Sequence, residues 1–400
     1  MLLKIKNIYG QFYKIPWCVP AWGWAEFFVT LNCLLTGKIK KGQSTALFED
    51  RVKVWLGLPY AVSVNRGRTA IELALRGFEI KAFDEVILPS YVCSEVLEAV
   101  LRVGAKPVFA DITSDLHLTS ESISAVITAN TKCVIVAHLF GRAAPIGAIE
   151  KLLESRGIYL IDDAAQSFGA KFEGRFLGAF GDCGIVSCGP GKAIASCGGG
   201  VLVTKSRELH KSFSAIQLLN ESSMAITKRV LSFWLWRRFR RATLPLNIML
   251  GRLKISTDKH PANNTFRMSN IEAAIALAQL NTLEINVIKR KLNSKKILKS
   301  LGMLAQYSIS DLSSDSVSLK LVLVVPSHIC SVENLIALLA SSGIECQRGY
   351  TPCHKKIQQA AALQATDELW KNVICIPVEK YPDQRTLSTI SKKLQGIGLC

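Results

Sequence analysis

The chain has 400 residues, 49% apolar and 20% charged, with Gly 27 and Pro 13 spread along its length. That composition excludes a disordered tail, a collagen-like repeat and a disulfide mini-protein, and the length suits about two to three domains or one large domain with an appendage. The formal net charge of +18 is uneven: residues 205–260 hold twelve Lys and Arg against Glu208, Glu221 and Asp258, and residues 1–46 hold six Lys against Glu26. Such local excess attracts an anion, be it phosphate, nucleic acid or an acidic lipid surface. None of the twelve cysteines is spaced C-x-x-C, so the usual zinc, c-haem and thioredoxin patterns are absent. A reduced cytoplasmic protein without a metal centre is expected.

Residues 1–46 form a basic, aromatic N-terminal segment with Trp17, Trp22 and Trp24. Its stretch from Pro16 to Leu35 is apolar apart from Glu26, but Pro20, Glu26 and Asn32 interrupt it, so no membrane span is expected. Residues 47–260 are predicted to be a large α/β domain. Strand candidates are Glu85–Pro89, Pro107–Ile112, Cys133–Phe140, Tyr159–Asp163, Cys183–Cys188 and Val201–Thr204. Helical patterns lie between several of them, at Thr69–Phe78, Ser94–Val103, Ser120–Thr128 and Ile146–Ser155. Strands apolar throughout and separated by helices argue for a mixed, mostly parallel sheet covered on both faces.

This domain ends in a basic Trp-rich helical segment, residues 205–260, which includes Phe233-Trp234-Leu235-Trp236-Arg237-Arg238-Phe239-Arg240-Arg241. Trp beside Arg suits a membrane interface; the alternative is a helix packed on its own domain with a solvated basic face. No nucleic-acid-binding signature accompanies the charge, so no nucleic acid is expected. Residues 261–400 are predicted to be a smaller α+β domain: a helix from Ser269 toward Ile288, a strand Leu319–Val325, a helix Val332–Ser341, a strand Val373–Pro377 and a helix Arg385–Leu394.

Ligands of open α/β sheets bind at the carboxyl ends of the strands. The strand Tyr159–Asp163 ends in two carboxylates, Asp162 and Asp163, which face opposite ways because neighbouring strand residues do. One of them can stand against a pyridine nitrogen and keep that ring protonated, as an electron sink. The strand Cys183–Cys188 runs into Gly189-Pro190-Gly191-Lys192, a lysine placed to condense with an aldehyde. Ser187 can donate to a phosphate, and Gly67-Arg68-Thr69 opens a helix whose free N–H groups suit the same anion. Rival phosphate motifs fail. A P-loop needs Gly at Val186 and Ser or Thr at Ala193, and the dinucleotide pattern needs Gly at Ile194.

In their order these segments resemble the DegT/DnrJ/EryC1/StrS family of sugar aminotransferases, pyridoxal-phosphate enzymes of fold type I. The likeness runs from about Gly42 to the C-terminus. It is carried by Phe48-Glu49, Gly67-Arg68-Thr69-Ala70, Asp84-Glu85-Val86-Ile87-Leu88-Pro89-Ser90-Tyr91, Gly104-Ala105-Lys106-Pro107, His138-Leu139-Phe140-Gly141, Asp162-Asp163-Ala164-Ala165-Gln166, Ser187 through Lys192 to Gly199-Gly200, and Phe266-Arg267-Met268-Ser269 with Glu272-Ala273-Ala274.

The resemblance implies pyridoxal 5'-phosphate as cofactor, with pyridoxamine 5'-phosphate as intermediate. Lys192 matches the Schiff-base lysine that also moves the proton, Asp163 the partner of the ring nitrogen, and Gln166 the residue near the ring and its hydroxyl. Ser187 and Gly67–Thr69 match the phosphate cradle. It also implies a homodimer with shared active sites. In that dimer a phosphate contact comes from the neighbouring subunit, at the position held here by Thr265 with Asn264 beside it. Tyr350 and His354 fall where family members line the substrate side. Four departures stand out: Cys93 replaces a stacking aromatic ring, Arg68 follows Gly67 in place of a small Ser or Thr and could take over phosphate charge, Gly198 replaces an acid, and the Trp-rich segment is unusually cationic.

The reaction so implied transfers an amino group, from glutamate, to a keto-sugar attached to a nucleotide diphosphate, in amino-sugar or polysaccharide biosynthesis. Two alternatives remain open at this level: a membrane-surface aminotransferase acting on a lipid-linked acceptor, peripheral at the inner face of the membrane, and a regulatory protein that holds the cofactor without turnover.

Overall fold

Glu85–Pro89, Cys183–Ser187 and Gly200–Thr204 are buried along their whole lengths, as strands covered on both faces must be. The computed structural model describes residues 15–18, 20, 22–239, 265–358 and 362–396, with the side chains of 236–239 excepted. It sets these runs in a seven-stranded sheet. In chain order the strands are β1 (Tyr60–Val64), β2 (Glu85–Pro89), β3 (Lys106–Ala110), β4 (Thr131–Ala137), β5 (Tyr159–Asp163), the short hairpin β6 (Lys171–Phe172) and β7 (Arg175–Phe176) outside the sheet, β8 (Cys183–Ser187) and β9 (Gly200–Thr204). The spatial order is β1-β9-β8-β5-β4-β2-β3. Neighbours are parallel except at β9, which runs against both β8 and β1. The carboxyl ends of β1, β2, β4, β5 and β8 therefore open at one edge of the sheet, where a ligand site is expected.

Most predicted elements are present with ends moved by one to three residues, and two differ in kind. Strand β4 stops at Ala137, short of the expected Phe140, because Leu139–Gly141 turns as a 3-10 segment with Phe140 at φ 58°. Tertiary hydrogen bonds hold it there: the Phe140 N–H donates to Gln166 Oε1 at 3.2 Å, and the Phe140 carbonyl accepts from Leu319 N–H at 3.0 Å. The helix expected from Ser269 to Ile288 is two helices, Asn270–Leu280 and Leu283–Ser300, bent by 62°. At the break the Thr282 hydroxyl donates to the Gln279 carbonyl at 3.2 Å, the local competition with helical bonding that Thr offers.

The helix Asn270–Leu280 is buried almost throughout. It packs with the N-terminal helices Trp24–Leu35 and Ser44–Leu56, placing Ala273, Ala276 and Leu280 in one core with Phe48, Val52 and Met268. Sequence alternation predicted neither N-terminal helix nor β1.

The second, smaller sheet is antiparallel, with β10 (Lys320–Val324), β12 (Val373–Pro377) and β11 (Gln347–Arg348) in the order β10-β12-β11. Its core joins Leu321, Leu323, Ile374 and Ile376 to Leu335, Leu339, Ile390 and Leu394 from the helices Val332–Ser341 and Gln384–Gln395. The first described residues tie the two bodies together. Ile15 pairs with Ile344, the Trp17 N–H donates to Glu345 Oε2 at 2.8 Å, and Trp22 Nε1 donates to the Ala195 carbonyl at 2.7 Å.

Candidate active site

The two carboxylates at the end of β5 part company as strand alternation requires. Asp162 is fully buried on the side away from the cleft. It accepts from Gly178 N–H at 2.6 Å, from Phe180 N–H at 2.9 Å and from His138 Nε2 at 2.8 Å. His138 Nδ1 accepts the Ala144 N–H at 2.9 Å, so its proton sits on Nε2 and points at Asp162. Asp162 thus anchors the 178–180 turn.

Asp163 instead lines a cavity of about 1120 Å³ together with Lys192, Gln166, Ser187 and Cys93. Its Oδ1 accepts the Ala165 N–H at 3.0 Å. Burial pushes its carboxyl above the usual carboxylate range; the Ala165 N–H and the Lys192 ammonium oppose that without cancelling it. A carboxyl so placed gains from a cationic hydrogen-bond donor brought into the cavity.

Lys192 reaches the same cavity from the turn that follows β8. Beneath it Arg290, deeply buried, donates from Nη2 to the Lys192 carbonyl at 3.2 Å, while its Nη1 finds no acceptor among the described residues. Burial pulls this guanidinium below its ordinary value against the nearby Glu379 and Cys18. Arg290 thus holds the turn that carries Lys192, and no local pattern in the chain singles it out.

One end of the cavity is built for an anion. The helix Gly67–Gly77 points its first turn at the cavity with no side-chain cap, which leaves N–H groups for a ligand. A Cβ on Gly67 would come within 3.1 Å of Ser187 Cβ and 3.2 Å of its hydroxyl, so the bare glycine keeps the Ser187 hydroxyl accessible beside the helix terminus. Two neighbours are already occupied. The Thr69 hydroxyl, absent from the cavity lining, donates to Asn65 Oδ1 at 2.7 Å. Arg68 lines the cavity, but its guanidinium pairs with Glu95 at 3.0 Å and with Glu98. The charge that Arg68 could lend a phosphate is therefore shared with two carboxylates of the next helix.

Gln166 links the two bodies. Its Oε1 accepts from Phe140 N–H at 3.2 Å and its Nε2 donates to Tyr350 Oη at 2.9 Å, which fixes the orientation of the amide. Tyr350 stacks on Phe140 with ring centroids 5.9 Å apart, and burial pushes its phenol well above the ordinary value. Tyr350, Gln166 and Lys192 also border a second, smaller cavity of about 140 Å³, closed by Trp17, Cys18 and Lys320. The N-terminal strap thereby forms a wall next to Lys192.

The far wall of the large cavity is the helix Ser223–Phe239, through Ala225, Lys228, Arg229, Ser232 and Phe233. Arg229 bridges Glu221 and Glu272, each at 2.8 Å. Burial works against its charge, but Glu272 and Glu221 outweigh it and hold the guanidinium above its ordinary value. Glu272 is placed by a capping box with Ser269 at the start of Asn270–Leu280. Its Oε1 lies 2.5 Å from where a Cβ on Gly198 would stand. The acid missing from position 198 is replaced in space by Glu272, a substitution that no local pattern announces.

Lys192, Asp163, Gln166, Ser187, Gly67, Arg68 and Cys93 thus converge on one cavity. Burial pushes the Cys93 thiol up, so a neutral, soft side chain stands where an aromatic ring was the alternative. His354 does not join them. It is buried behind the end of β2, with Nδ1 2.7 Å from the Ser90 hydroxyl and Nε2 3.5 Å from Asp367, and it lines neither cavity. Thr265 lies next to the lining residue Phe266, and its carbonyl accepts from Leu219 N–H at 2.8 Å. Asn264, Arg240, Arg241 and Arg252 lie outside the described residues.

The model of the DegT/DnrJ/EryC1/StrS aminotransferase family matches residues 26–395. Among curated proteins, the UDP-N-acetyl-3-dehydro-alpha-D-glucosamine 3-aminotransferase of Acidithiobacillus ferrooxidans is 37% identical over 178 residues, 44% of this chain and 48% of that one. The GDP-perosamine synthase of Vibrio cholerae is 28% identical over 271 residues, 67% of this chain and 65% of that one. The chain spans about half to two thirds of the length of the curated relatives it matches. Among solved structures, the aminotransferase TlmJ from Streptoalloteichus hindustanus superposes with TM-score 0.77 at 20% identity, covering 96% of this chain and 99% of that one. Helicobacter pylori PseC does so with TM-score 0.76 at 17% identity, covering 96% and 98%.

Proposed function

The chain belongs to the DegT/DnrJ/EryC1/StrS aminotransferase family, and on that premise we propose that it is a pyridoxal-phosphate-dependent transaminase. In this reading it moves an amino group from glutamate to a keto-sugar carried on a nucleotide diphosphate. The observation that carries it is the convergence of Lys192, from the turn after β8, and Asp163, from the end of β5, on one cavity whose other end is an uncapped helix terminus.

The residues present fit the cofactor. Asp163 is a buried carboxyl whose burial outweighs the pull of Lys192 and His138 among the described residues, and Gly67 keeps a cradle open that a Cβ would crowd. Bound there, the cofactor supplies an electron sink for charge developing at the carbon that loses or gains the amine. The chain's own groups do the rest. The Asp163 carboxylate holds a proton on the ring nitrogen, and the first-turn N–H groups of Gly67–Gly77 with the Ser187 hydroxyl bind the phosphate. Lys192 Nζ holds the cofactor and then carries the proton to and from the reacting carbon. Gln166, locked by Phe140 and Tyr350, and Cys93 line the cavity that would hold the ring. Tyr350 borders the substrate side.

The names of the relatives, acting on UDP-linked and GDP-linked sugars, support a nucleotide-linked acceptor, as does the positive charge of the chain. A homodimer sharing its sites, with Thr265 approaching the partner's phosphate, and a cytoplasmic location complete the reading. Among the described residues no single helix is long and apolar enough to cross a membrane. A second reading, an aminotransferase working at a membrane surface on a lipid-linked acceptor, is favoured by the apolar side chains that the helices Trp24–Leu35 and Ser223–Phe239 leave exposed.

The proposal is tested by incubating the protein with pyridoxal phosphate, glutamate and a panel of UDP-, dTDP- and GDP-linked keto-sugars, followed by mass spectrometry. Amination of at least one sugar, with release of 2-oxoglutarate, is expected. No amination of any, in a protein that holds the cofactor, would contradict it.

A further inference from the structure

Two neighbouring helices share an exposed pattern of apolar side chains that neither the fold nor the cavity uses. The helix Trp24–Leu35 buries Glu26, Thr30 and Cys33 and leaves Trp24, Phe28, Leu31 and Leu35 exposed at 75%, 58%, 38% and 78%. These four follow a 4-3-4 spacing, one stripe along a helix. Beside it runs Ser223–Phe239, joined through Trp234, whose Nε1 donates to Thr30 Oγ1 at 3.4 Å and whose ring lies 5.8 Å from Phe27 and 4.9 Å from Trp22. That helix repeats the spacing with Met224, Lys228, Leu231 and Leu235, of which the three apolar residues are exposed at 82%, 44% and 55%. Scattered exposed apolar residues need no explanation, but two adjacent stripes form a patch, and patches mark contact surfaces.

The charges on these helices and just after them in the sequence are positive, the buried Glu26 apart. Exposed Lys38, Lys40 and Lys41 follow the first stripe, Lys228 sits within the second, and in the sequence Arg237 and Arg238 come next. The first helix has one acid, Glu26, which is buried and accepts from Gly23 N–H and Gln279 Nε2; the second has none.

We propose that this face docks on the anionic lipid surface of a membrane. Trp24 and Phe28 enter at headgroup level, the leucines lie deeper, and the lysines meet lipid phosphates, the arrangement by which amphipathic helices lie in an interface. A second copy of the chain fits less well, because a twofold contact through this face would bring two identical lysine clusters together. The helix carrying the second stripe also supplies the far wall of the large cavity, so a docked protein holds one wall of its site at the lipid surface. The contact is independent of turnover, and its test needs none.

The test is flotation of the full chain with vesicles of phosphatidylcholine alone or with added phosphatidylserine, at low and high salt. Wild type floats with the phosphatidylserine vesicles at low salt, is released by salt, and stays behind with phosphatidylcholine. Trp24→Ser with Phe28→Ser lowers partitioning by about tenfold or more, while Lys38→Glu with Lys40→Glu and Lys41→Glu abolishes the salt-sensitive part. Unchanged thermal melting and cofactor absorption show that the variants remain folded. Failure to float at low salt, or equal flotation of wild type and the Trp24/Phe28 variant, overturns the proposal. So does loss of dimer mass in sedimentation of that variant without any change in lipid binding, which would assign the face to a second copy.

Discussion

Lys192→Ala is expected to lower turnover by about 10⁴-fold or more, because under the proposed function it removes both the amine that holds the cofactor and the group that moves the proton. The loss should fall on kcat rather than on folding. Lys192 is half-buried on a turn and belongs to none of the apolar cores, and truncating such a side chain usually changes stability by less than about 1 kcal/mol. The check is paired: single-turnover rate with glutamate, and thermal melting of the cofactor-free protein. A variant that melts with wild type but retains turnover within about tenfold would remove Lys192 from the chemistry.

Asp163→Asn is expected to act in opposite directions on reaction and stability. Under the proposed function turnover should fall by about 10³-fold, since a neutral amide would not hold a proton on the ring nitrogen. The cofactor-free protein should become more stable at neutral pH. Burial raises the Asp163 carboxyl above its ordinary value of 3.8, so the folded state keeps that proton to higher pH than the unfolded state does. Stability therefore falls as pH rises from 3.8 through the raised value, and the deficit persists above it. Asn removes this ionisation and can still accept the Ala165 N–H. Melting curves of both cofactor-free proteins across that window measure it: wild type should lose stability with rising pH relative to the variant. Parallel curves would mean that the carboxyl is not strained by its burial, and the charge complementarity argued for the site would lose its basis.

Both predictions rest on residues that the sequence already exposed, for a physical reason. Groups at the carboxyl ends of parallel strands are gathered at one edge by the topology alone, so Asp163, Ser187 and Lys192 were legible once the strands were. The alternation rule also separated Asp163 from Asp162 in principle, although only the bonds from Gly178, Phe180 and His138 show which of the two turns away. What could not be read came from distant parts of the chain. Arg290 lies 98 positions from Lys192 and meets only its carbonyl. Glu272 takes the space of a residue expected at position 198. The strap of Trp17 and Cys18 reaches the lysine turn only because Ile15 pairs with Ile344 on the smaller sheet.

His354 sits apart from where its sequence position points. Its place near Tyr350 in the sequence suggested the substrate side, but the short helix Cys353–Lys356 turns it under β2 toward Ser90. Thr69 was likewise expected at the phosphate, yet Asn65, one turn earlier, takes its hydroxyl. Of the Trp-rich segment, only the part up to residue 239 lies within the described residues. Phe233 and Trp234 pack inward on Trp22, and Leu231 and Leu235 face out.

The central claim is that Lys192 is the residue that holds the cofactor. Borohydride reduction of the protein loaded with pyridoxal phosphate, followed by proteolysis and peptide mass mapping, tests it most directly. The account predicts a stable pyridoxyl-phosphate mass addition on the peptide containing Lys192 and no addition in Lys192→Ala. Addition at a different lysine, or none in wild type under conditions where the cofactor is bound, would contradict it.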